Sequence, residues 1–312
     1  MLPEKRVWLL PENGNLYKAN LHSHSTVSDG KFTPQELKEM YMERGYHAIA
    51  YTDHQVCMPH NELTDENFVA LTGLEIAFGI GKATSVHLCG ISRDPQAEMT
   101  IPNDLIDDID HISGGAKLLK EKNCITTLNH PRWSGISPEG VAAIGEFDNM
   151  EIVNGFEMIQ DGYGDSSACC EAELRRGRKI GVLATDDSHT MSEPQKAGYE
   201  YFQGFTVIKA PSLTYESLIN ALDAGAFYAS TGPMIKNLWM ENGKIHIECS
   251  PVCSVYVHGN LYSNRAAVIK GSDCIENIDI DLGSAFDNSK YVFVQIVDSK
   301  GKKAWAHPYW LD

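Results

Sequence analysis

Leu16-Tyr17-Lys18-Ala19-Asn20-Leu21-His22-Ser23-His24-Ser25 is the stretch whose reading decides the fold. A run of strand character stops at two histidines spaced i and i+2, and residues two apart on an extended chain share a face, so both imidazoles can point into one mouth. The same event recurs along the chain. The strand-like run 47–52 ends at Asp53-His54, 68–74 ends at Glu75, 124–129 ends at His130, and 179–185 ends at Asp186-Asp187-Ser188-His189. Asp29 lies five residues past His24, and His87 falls inside the run 85–91 rather than after it.

Helix signals stand between these runs. Thr33-Pro34-Gln35-Glu36 offers an N-cap, a proline at the first helical position and an acidic first turn ahead of Leu37, Met40 and Tyr41. Residues 106–122 carry apolar side chains at helical spacing around Gly114-Gly115, and 166–176 and 212–224 read as further helices. With the runs 150–156 and 204–209 added, strands alternating with helices predict βα units and a mostly parallel sheet. Roughly seven or eight such units suit a barrel, whose C-terminal strand ends are where active sites gather.

After Gly232-Pro233 come short runs at 245–249, 253–258, 265–269, 275–280 and 291–297, with turns at Asn242-Gly243, 271–273 and 298–301 and no helix signal. The predicted fold class is α/β: a TIM-like barrel over residues 1–234 and a small antiparallel β-sandwich over 235–312.

A formal net charge of −16 argues against a nucleic-acid polymer as partner, since such binding needs clustered Lys and Arg. No run approaches the roughly 20 apolar residues of a membrane span, and residues 1–11 hold basic residues and a short apolar patch at 7–10 without the features of a secretory signal. The eight cysteines form no CxxC pair, and Cys89, Cys124, Cys249 and Cys253 sit in apolar stretches, so reduced thiols are expected. The expectation is a soluble cytoplasmic protein acting on a small molecule.

The recurring set of His, Asp and Glu points to metal ligation. Imidazole suits zinc, iron and manganese, while carboxylates bridge ions and supply compensating charge. Either His-x-His or Asp-x-His alone is weak evidence; both together with Asp29, His54, Glu75 and His130, each tied to an apolar run, are hard to ascribe to chance.

Leu21-His22-Ser23-His24-Ser25, Ser28-Asp29-Gly30, Tyr51-Thr52-Asp53-His54, Gly73-Leu74-Glu75, His87, Asn129-His130-Pro131 and Asp187-Ser188-His189 together resemble the signature of the polymerase and histidinol phosphatase (PHP) superfamily, in order and spacing over residues 16 to 232. The resemblance implies a distorted (β/α)7 barrel holding two or three Zn, Mn or Fe ions. It implies a first ion on His22, His24, Glu75 and Asp187, a second on Glu75, His87 and His130, and a third on Asp29, His54 and His189. Some members have His where this chain has Asp29, which favours a harder ion there. Phe227-Tyr228-Ala229-Ser230-Thr231-Gly232-Pro233 and Ala304-Trp305-Ala306-His307-Pro308 resemble the PHP branch with an appended β-sandwich, which includes the ester- and carbamate-cleaving CehA/McbA-like members.

The implied reaction is hydrolysis of a small phosphomonoester or nucleotide by a metal-bound hydroxide, releasing phosphate. Asp187 and His189 would serve the chemistry directly. Arg132 is either a phosphate clamp, through its planar fork, or a surface arginine. Asp53 either orients a ligand histidine or caps a turn. Asp186 is the alternative to Asp187, which is preferred because Asp-x-His puts both side chains on one face. Cys57 is a soft ligand or, more simply, a buried thiol; Trp133 and Tyr163 stack on substrate or pack. His47, His60, His111, His246, His258 and His307 read as structural or exposed, and Glu171 and Glu173, near Arg175, Arg176 and Arg178, as a solvated helix face. Two other functions fit the same residues: a carboxylic ester, amide or carbamate hydrolase using the same centre, and an inert metal-binding protein whose β-domain recruits a partner.

Overall fold

The computed structural model describes residues 2–78, 85–102, 112–189 and 199–311; His111 and the first part of the run 106–122 lie outside these. The chain opens with β1 (Val7–Leu10) and β2 (Asn15–Asn20). Helix α1 (Pro34–Met42) starts as its sequence dictates: the Thr33 hydroxyl accepts from the Glu36 amide while the Glu36 carboxylate accepts from the Thr33 amide. Then come β3 (Ala48–Tyr51), β4 (Val56–Cys57), the ten-residue β5 (Val69–Phe78), β6 (Val86–Ser92) and β7 (Met99–Thr100).

Helix α2 (Ile112–Glu121), β8 (Cys124–Leu128), α3 (Pro138–Ala143), β9 (Asn149–Asn154), α4 (Gly155–Gln160), α5 (Ser167–Arg176) and β10 (Gly181–Thr185) follow. Next are β11 (Phe205–Ala210), α6 (Tyr215–Asp223) and β12 (Phe227–Ser230). The remainder is strand, with a single 3-10 turn among the described residues: β13 (Ile235–Glu241), β14 (Lys244–Val252), β15 (Ser254–His258), β16 (Arg265–Ile269), β17 (Ile275–Asp281), β18 (Tyr291–Val297), β19 (Lys303–Ala306) and β20 (Tyr309–Trp310).

The architecture is mixed α/β, dominated by one 14-stranded sheet in the order β10-β9-β8-β6-β5-β3-β2-β11-β12-β19-β18-β15-β16, with β20 on β18. Two parallel triplets, β2-β3-β5 and β8-β9-β10, carry the expected βα character. They are joined by β6, which is antiparallel to both its neighbours, where the sequence reading expected a mostly parallel sheet. The reason is connection length. Seven residues separate Phe78 from Val86, and a parallel crossover needs about a dozen or more. The β10 end of the sheet comes back against β11, where the Thr206 hydroxyl donates to the Ala184 carbonyl at 3.0 Å.

A second sheet has the order β1-β13-β14-β17, so residues 7–10, read from sequence only as an apolar patch, pair with β13 in the C-terminal part of the chain. Beyond residue 234 the large sheet also continues, through the pairing of β12 with β19.

One surface reading is corrected. Glu173 is buried at 1% exposure and accepts from Arg176 at 2.6 Å and Arg178 at 3.0 Å, so it anchors two arginines from inside the α5 packing instead of facing solvent. Glu171 does pair at the surface, with Arg175.

The topology collects the chemistry-bearing residues at one end of the large sheet. His22, Asp53, His130 and Asp187 each follow the last residues of β2, β3, β8 and β10. Glu75 differs from its expected place: β5 runs on to Phe78, so Glu75 is inside the strand. His87 lies near the start of β6, and because β6 runs opposite to its neighbours its start shares an end of the sheet with their C-termini.

His307, just past β19, packs edge-on against Phe227 with centroids 4.9 Å apart, and its buried Nδ1 has no hydrogen-bond partner among the described residues. Burial holds its imidazole down from 6.5 to about 4. The unfolded chain therefore takes up a proton between those values while the native state does not, and native stability falls as pH drops from 6.5 toward 4. Relative to His307→Asn, the wild-type chain is expected to lose up to about 2 kcal/mol more stability between pH 7.5 and 5. Urea unfolding at the two pH values measures it; parallel losses in both proteins would refute the assignment.

Candidate metal centre

Ser23 sets the facing of the first two histidines. It bridges to Ser188, and its hydroxyl donates to the Ala50 carbonyl at 2.8 Å, so the side chains of His22 and His24 both turn to the other face. The His22 carbonyl accepts from the Asp187 amide at 2.9 Å, which sets the ends of β2 and β10 side by side. His130 and Asp187 take φ values of 27° and 52°, in the left-handed region. Non-glycine residues adopt that backbone at a cost of roughly 1–3 kcal/mol and do so most often where a side chain must be aimed. Gly30 is required for a different reason: a Cβ there would meet the His24 carbonyl oxygen at 2.2 Å, so only glycine lets the 25–30 loop fold back over the histidines.

Three overlapping groups result, each with its ligand-type atoms within 4.8 Å of one another. In the first, His22 Nε2 lies 3.2 Å from Glu75 Oε1 and 3.1 Å from Asp187 Oδ1, and His24 Nε2 lies 3.3 Å from Glu75 Oε2 and 3.1 Å from Asp187 Oδ1. The second joins Glu75 Oε1 to His87 Nδ1 at 3.1 Å and to His130 Nε2 at 3.6 Å. The third gathers Asp29 with His24 Nδ1 at 3.6 Å, His54 Nε2 at 3.7 Å and His189 Nε2 at 3.7 Å. All nine residues singled out in the sequence are in these groups, and His24 also enters the third, which the sequence reading had not given it.

The arrangement demands positive charge. His22 Nδ1 donates to Glu151 at 2.7 Å, so in the neutral ring Nε2 is a lone pair, and it faces His24 Nε2 at 3.2 Å and two carboxylates. Acceptors confronting acceptors are stable only with a proton or a cation between them. Without an ion, protons fill that place: burial opposes charge on His22, yet Asp187, Glu75 and Glu151 raise it well above the ordinary imidazole range. Burial is likewise overcome at Glu75 and Asp187, which the surrounding histidines hold well below the usual carboxylate range. Asp187 Oδ1 and His54 Nδ1 are buried without a hydrogen-bond partner of good geometry. A nitrogen and oxygen donor set of this kind fits a divalent ion.

The side chains behind the cluster are themselves fixed, and several escaped the sequence reading. Glu151 is fully buried in β9 and accepts from His22 Nδ1, Thr185 Oγ1 at 2.6 Å, the His130 amide at 2.8 Å and Asn154 Nδ2 at 2.9 Å. Asn154 also donates to Asp187 Oδ2 at 3.0 Å, and Asn129 donates to Glu75 Oε1 at 2.5 Å. The one available signal was a glutamate inside the apolar run Met150-Glu151-Ile152-Val153. His189 is held through its amide, which donates to Glu200 at 3.0 Å.

The open alternatives divide as follows. Asp53 has no histidine partner among its described contacts; it accepts from the amides and hydroxyls of Ser25 and Ser28 at 2.8–3.1 Å and so ties down the loop that carries Asp29. Asp186 lies outside the three groups. Its buried carboxylate accepts from the amides of Phe202, Gln203 and Gly204 and from Tyr41, with burial raising it to about 6.

Arg132 is exposed, its Nη1 donating to the Asp165 carbonyl at 3.3 Å and its guanidinium lying over the Tyr163 ring. Cys57 is a buried thiol donating to the Ala97 carbonyl, and burial pushes it up to about 12. Trp133 packs edge-on against His87 and His130, at 5.5 and 4.8 Å, and Tyr163 is half-exposed. His246 pairs with Asp279 at 2.6 Å, away from the cluster.

No family model matches the chain, and no curated protein matches it. Among solved structures it is similar to a two-domain protein containing a predicted PHP-like metal-dependent phosphoesterase from Bacteroides vulgatus ATCC 8482, at 16% identity over 98% of this chain and 99% of that one, with a TM-score of 0.48. It is also similar to an amidohydrolase from Chromobacterium violaceum with bound sulfate, at 14% identity over 67% of this chain and 96% of that one, with a TM-score of 0.43. At these scores the likeness says nothing of the reaction.

Glu151 fixes the tautomer of His22 and the backbone of His130 at once. Glu151→Gln is expected to weaken binding of zinc or manganese about 10- to 100-fold with the fold intact. Calorimetric titration of the metal-free protein checks this, and an unchanged affinity would remove Glu151 from the centre.

Proposed function

We propose that this chain is a metal-dependent hydrolase of PHP type that cleaves a small phosphomonoester or nucleotide and releases phosphate. The observation that carries the reading is the convergence of nine His, Asp and Glu side chains into three groups sharing Glu75 and His24. In this reading His22, His24, Glu75 and Asp187 hold one ion, Glu75, His87 and His130 a second, and Asp29, His54 and His189 a third, with Zn, Mn or Fe as the metal. Divalent ions there would lower the pKa of a bound water and neutralise charge developing on the phosphoryl oxygens.

The protein's own groups complete the site. Asp187, aimed by its left-handed backbone and held by Asn154, and His189, held by Glu200, would keep the reacting end rigid. Asp53 would act as a positioning residue through the Asp29 loop. Arg132 would steady the phosphate: its guanidinium is exposed, and only Nη1 is engaged among its described hydrogen bonds.

The same reading takes the curled part of the large sheet as a distorted (β/α)7 barrel over residues 1–234 and the C-terminal strands as a β-sandwich over 235–312. No helix among the described residues is long and apolar enough to cross a membrane. All eight cysteines are unpaired, which fits a reducing compartment such as the cytoplasm.

Purified protein stripped with chelator and reloaded with Mn²⁺ or Zn²⁺ is expected to turn over an aryl phosphate, and Asp187→Asn to lower that rate at least about 100-fold together with the bound-metal content. Faster turnover of the matching aryl acetate would shift the assignment to a carbon-ester hydrolase. Full metal loading with no turnover of either substrate would favour an inert metal-binding protein.

A further inference from the structure

The proposed chemistry leaves Glu157, a buried ionisable group, unused. Glu157 is 2% exposed, and its Oε2 is buried without a hydrogen-bond partner among the described residues. Its place is fixed from both sides. Its amide donates to Asn154 Oδ1 at 3.0 Å, and its carbonyl accepts from the amides of Gly162 and Tyr163 at 3.0 and 3.2 Å. Asn154 is the residue that also holds Asp187 and Glu151, so α4 leaves β9 at the same end of the sheet as the cluster. The preceding residue, Phe156, lies against the His189 ring with centroids 4.9 Å apart. A carboxyl oxygen sealed from water and given no protein donor or acceptor costs about 1–3 kcal/mol or more unless something else completes it.

We propose that Glu157 is the catalytic residue that protonates the leaving group, its unpartnered Oε2 completed by the ester oxygen of the substrate. This rests on the hydrolase reading above. As the P–O bond breaks, its electron pair goes to the leaving oxygen, which takes the proton from Glu157. The attacking water gives its oxygen to phosphorus and its proton to bulk solvent, from which Glu157 is reprotonated after the alcohol leaves, so the cycle closes as ester plus water to alcohol plus phosphate. The direction of its titration suits this role. Burial pushes the Glu157 carboxyl up to about 8 in the ion-free protein, against the pull of His130 and with the help of Asp187, Asp161 and Glu151, which favours the protonated form.

The test uses leaving-group dependence. In the Mn²⁺- or Zn²⁺-loaded protein, Glu157→Gln is expected to lower kcat/KM on an alkyl phosphate about 100-fold or more. On 4-nitrophenyl phosphate, whose leaving group departs without a proton, it should stay close to wild type. Glu157→Asp, which keeps a carboxyl, should recover part of the alkyl rate. Bound metal and the urea midpoint should not change in either variant.

Equal losses on both substrates, or no loss on either, would overturn the assignment. Wild-type protein that binds no metal and turns over neither phosphate would instead overturn the hydrolase reading on which it rests. A second readout needs no turnover: the isotope-labelled carboxyl carbon of Glu157 in metal-free wild-type protein should titrate with a midpoint near 8 by NMR, and a midpoint in the ordinary carboxylate range would also overturn the proposal.

Discussion

Nine side chains that all want positive charge are held face to face, and the rest of the structure is arranged to tolerate that. His22 Nε2 and His24 Nε2 stand 3.2 Å apart with Glu75 and Asp187 on either side, at depths where water cannot screen them. At such separations the interaction between charges is several-fold stronger than in bulk water. A buried site of this kind is stable with a cation in it or with protons standing in, and the raised His22 with depressed Glu75 and Asp187 is the proton-loaded form of the same balance. Metal affinity and protonation would therefore be coupled, because an ion held there would displace protons from these imidazoles.

The scaffold meets this constraint by dividing labour between adjacent residues. Asp186 and Asp187 are neighbours with opposite duties. Asp187 turns into the cluster, while Asp186 turns away and gathers three backbone amides from 202–204 and the Tyr41 hydroxyl. The amide of Asp186 in turn donates to Asn20 in β2 at 3.0 Å. The pair thus ties together β2, α1, β10 and the segment before β11, and the left-handed turn at Asp187 is held from the side that Asp186 anchors. Glu151 plays the matching part across β8, β9 and β10, touching His22, the His130 amide and Thr185 with one carboxylate.

This division explains what was legible in the sequence. His22, His24, His54, His130, Asp187 and His189 stood out because a polar, ligand-type side chain ends an apolar run, and the αβ alternation around them followed from the same runs. The cap of α1 was legible from Thr33 and Glu36 alone. Glu75 was found by the same rule although β5 runs three residues past it, since its character does not depend on where the ladder stops. Glu151 was not seen because it sits inside an apolar run and its partners His22, His130 and Thr185 come from other strands, and Glu157 was not seen because its hydrogen bonds are local backbone ones that leave no pattern. The reversal of β6 follows from a short connection, a feature that side-chain periodicity does not encode. The reading of Glu173 failed for a related reason: spacing along α5 shows which residues share a face but not that Arg178, beyond the helix, folds back to cover one of them. The strand β1 was invisible as a strand because four residues carry too little alternation, and its partner lies more than two hundred residues away.

That last pairing bears on how the two parts of the chain depend on each other. The N-terminal strand β1 is hydrogen-bonded to β13, and β12 hands the large sheet on to β19, so the C-terminal strands are stitched to the rest at both ends of the chain. Ser230, at the end of β12, accepts from the Gly232 amide at 2.9 Å and donates to the Pro233 carbonyl at 2.6 Å, which fixes the crossing between them. From there the coupling reaches toward the centre. Lys303, at the start of β19, lies 3.7 Å from Asp165, whose carbonyl holds Arg132 two residues past His130. An appended sheet attached this way is not a free-swinging module. Through Lys303, Asp165 and Arg132 its strand β19 reaches the loop that follows His130, a ligand-type residue of the second group.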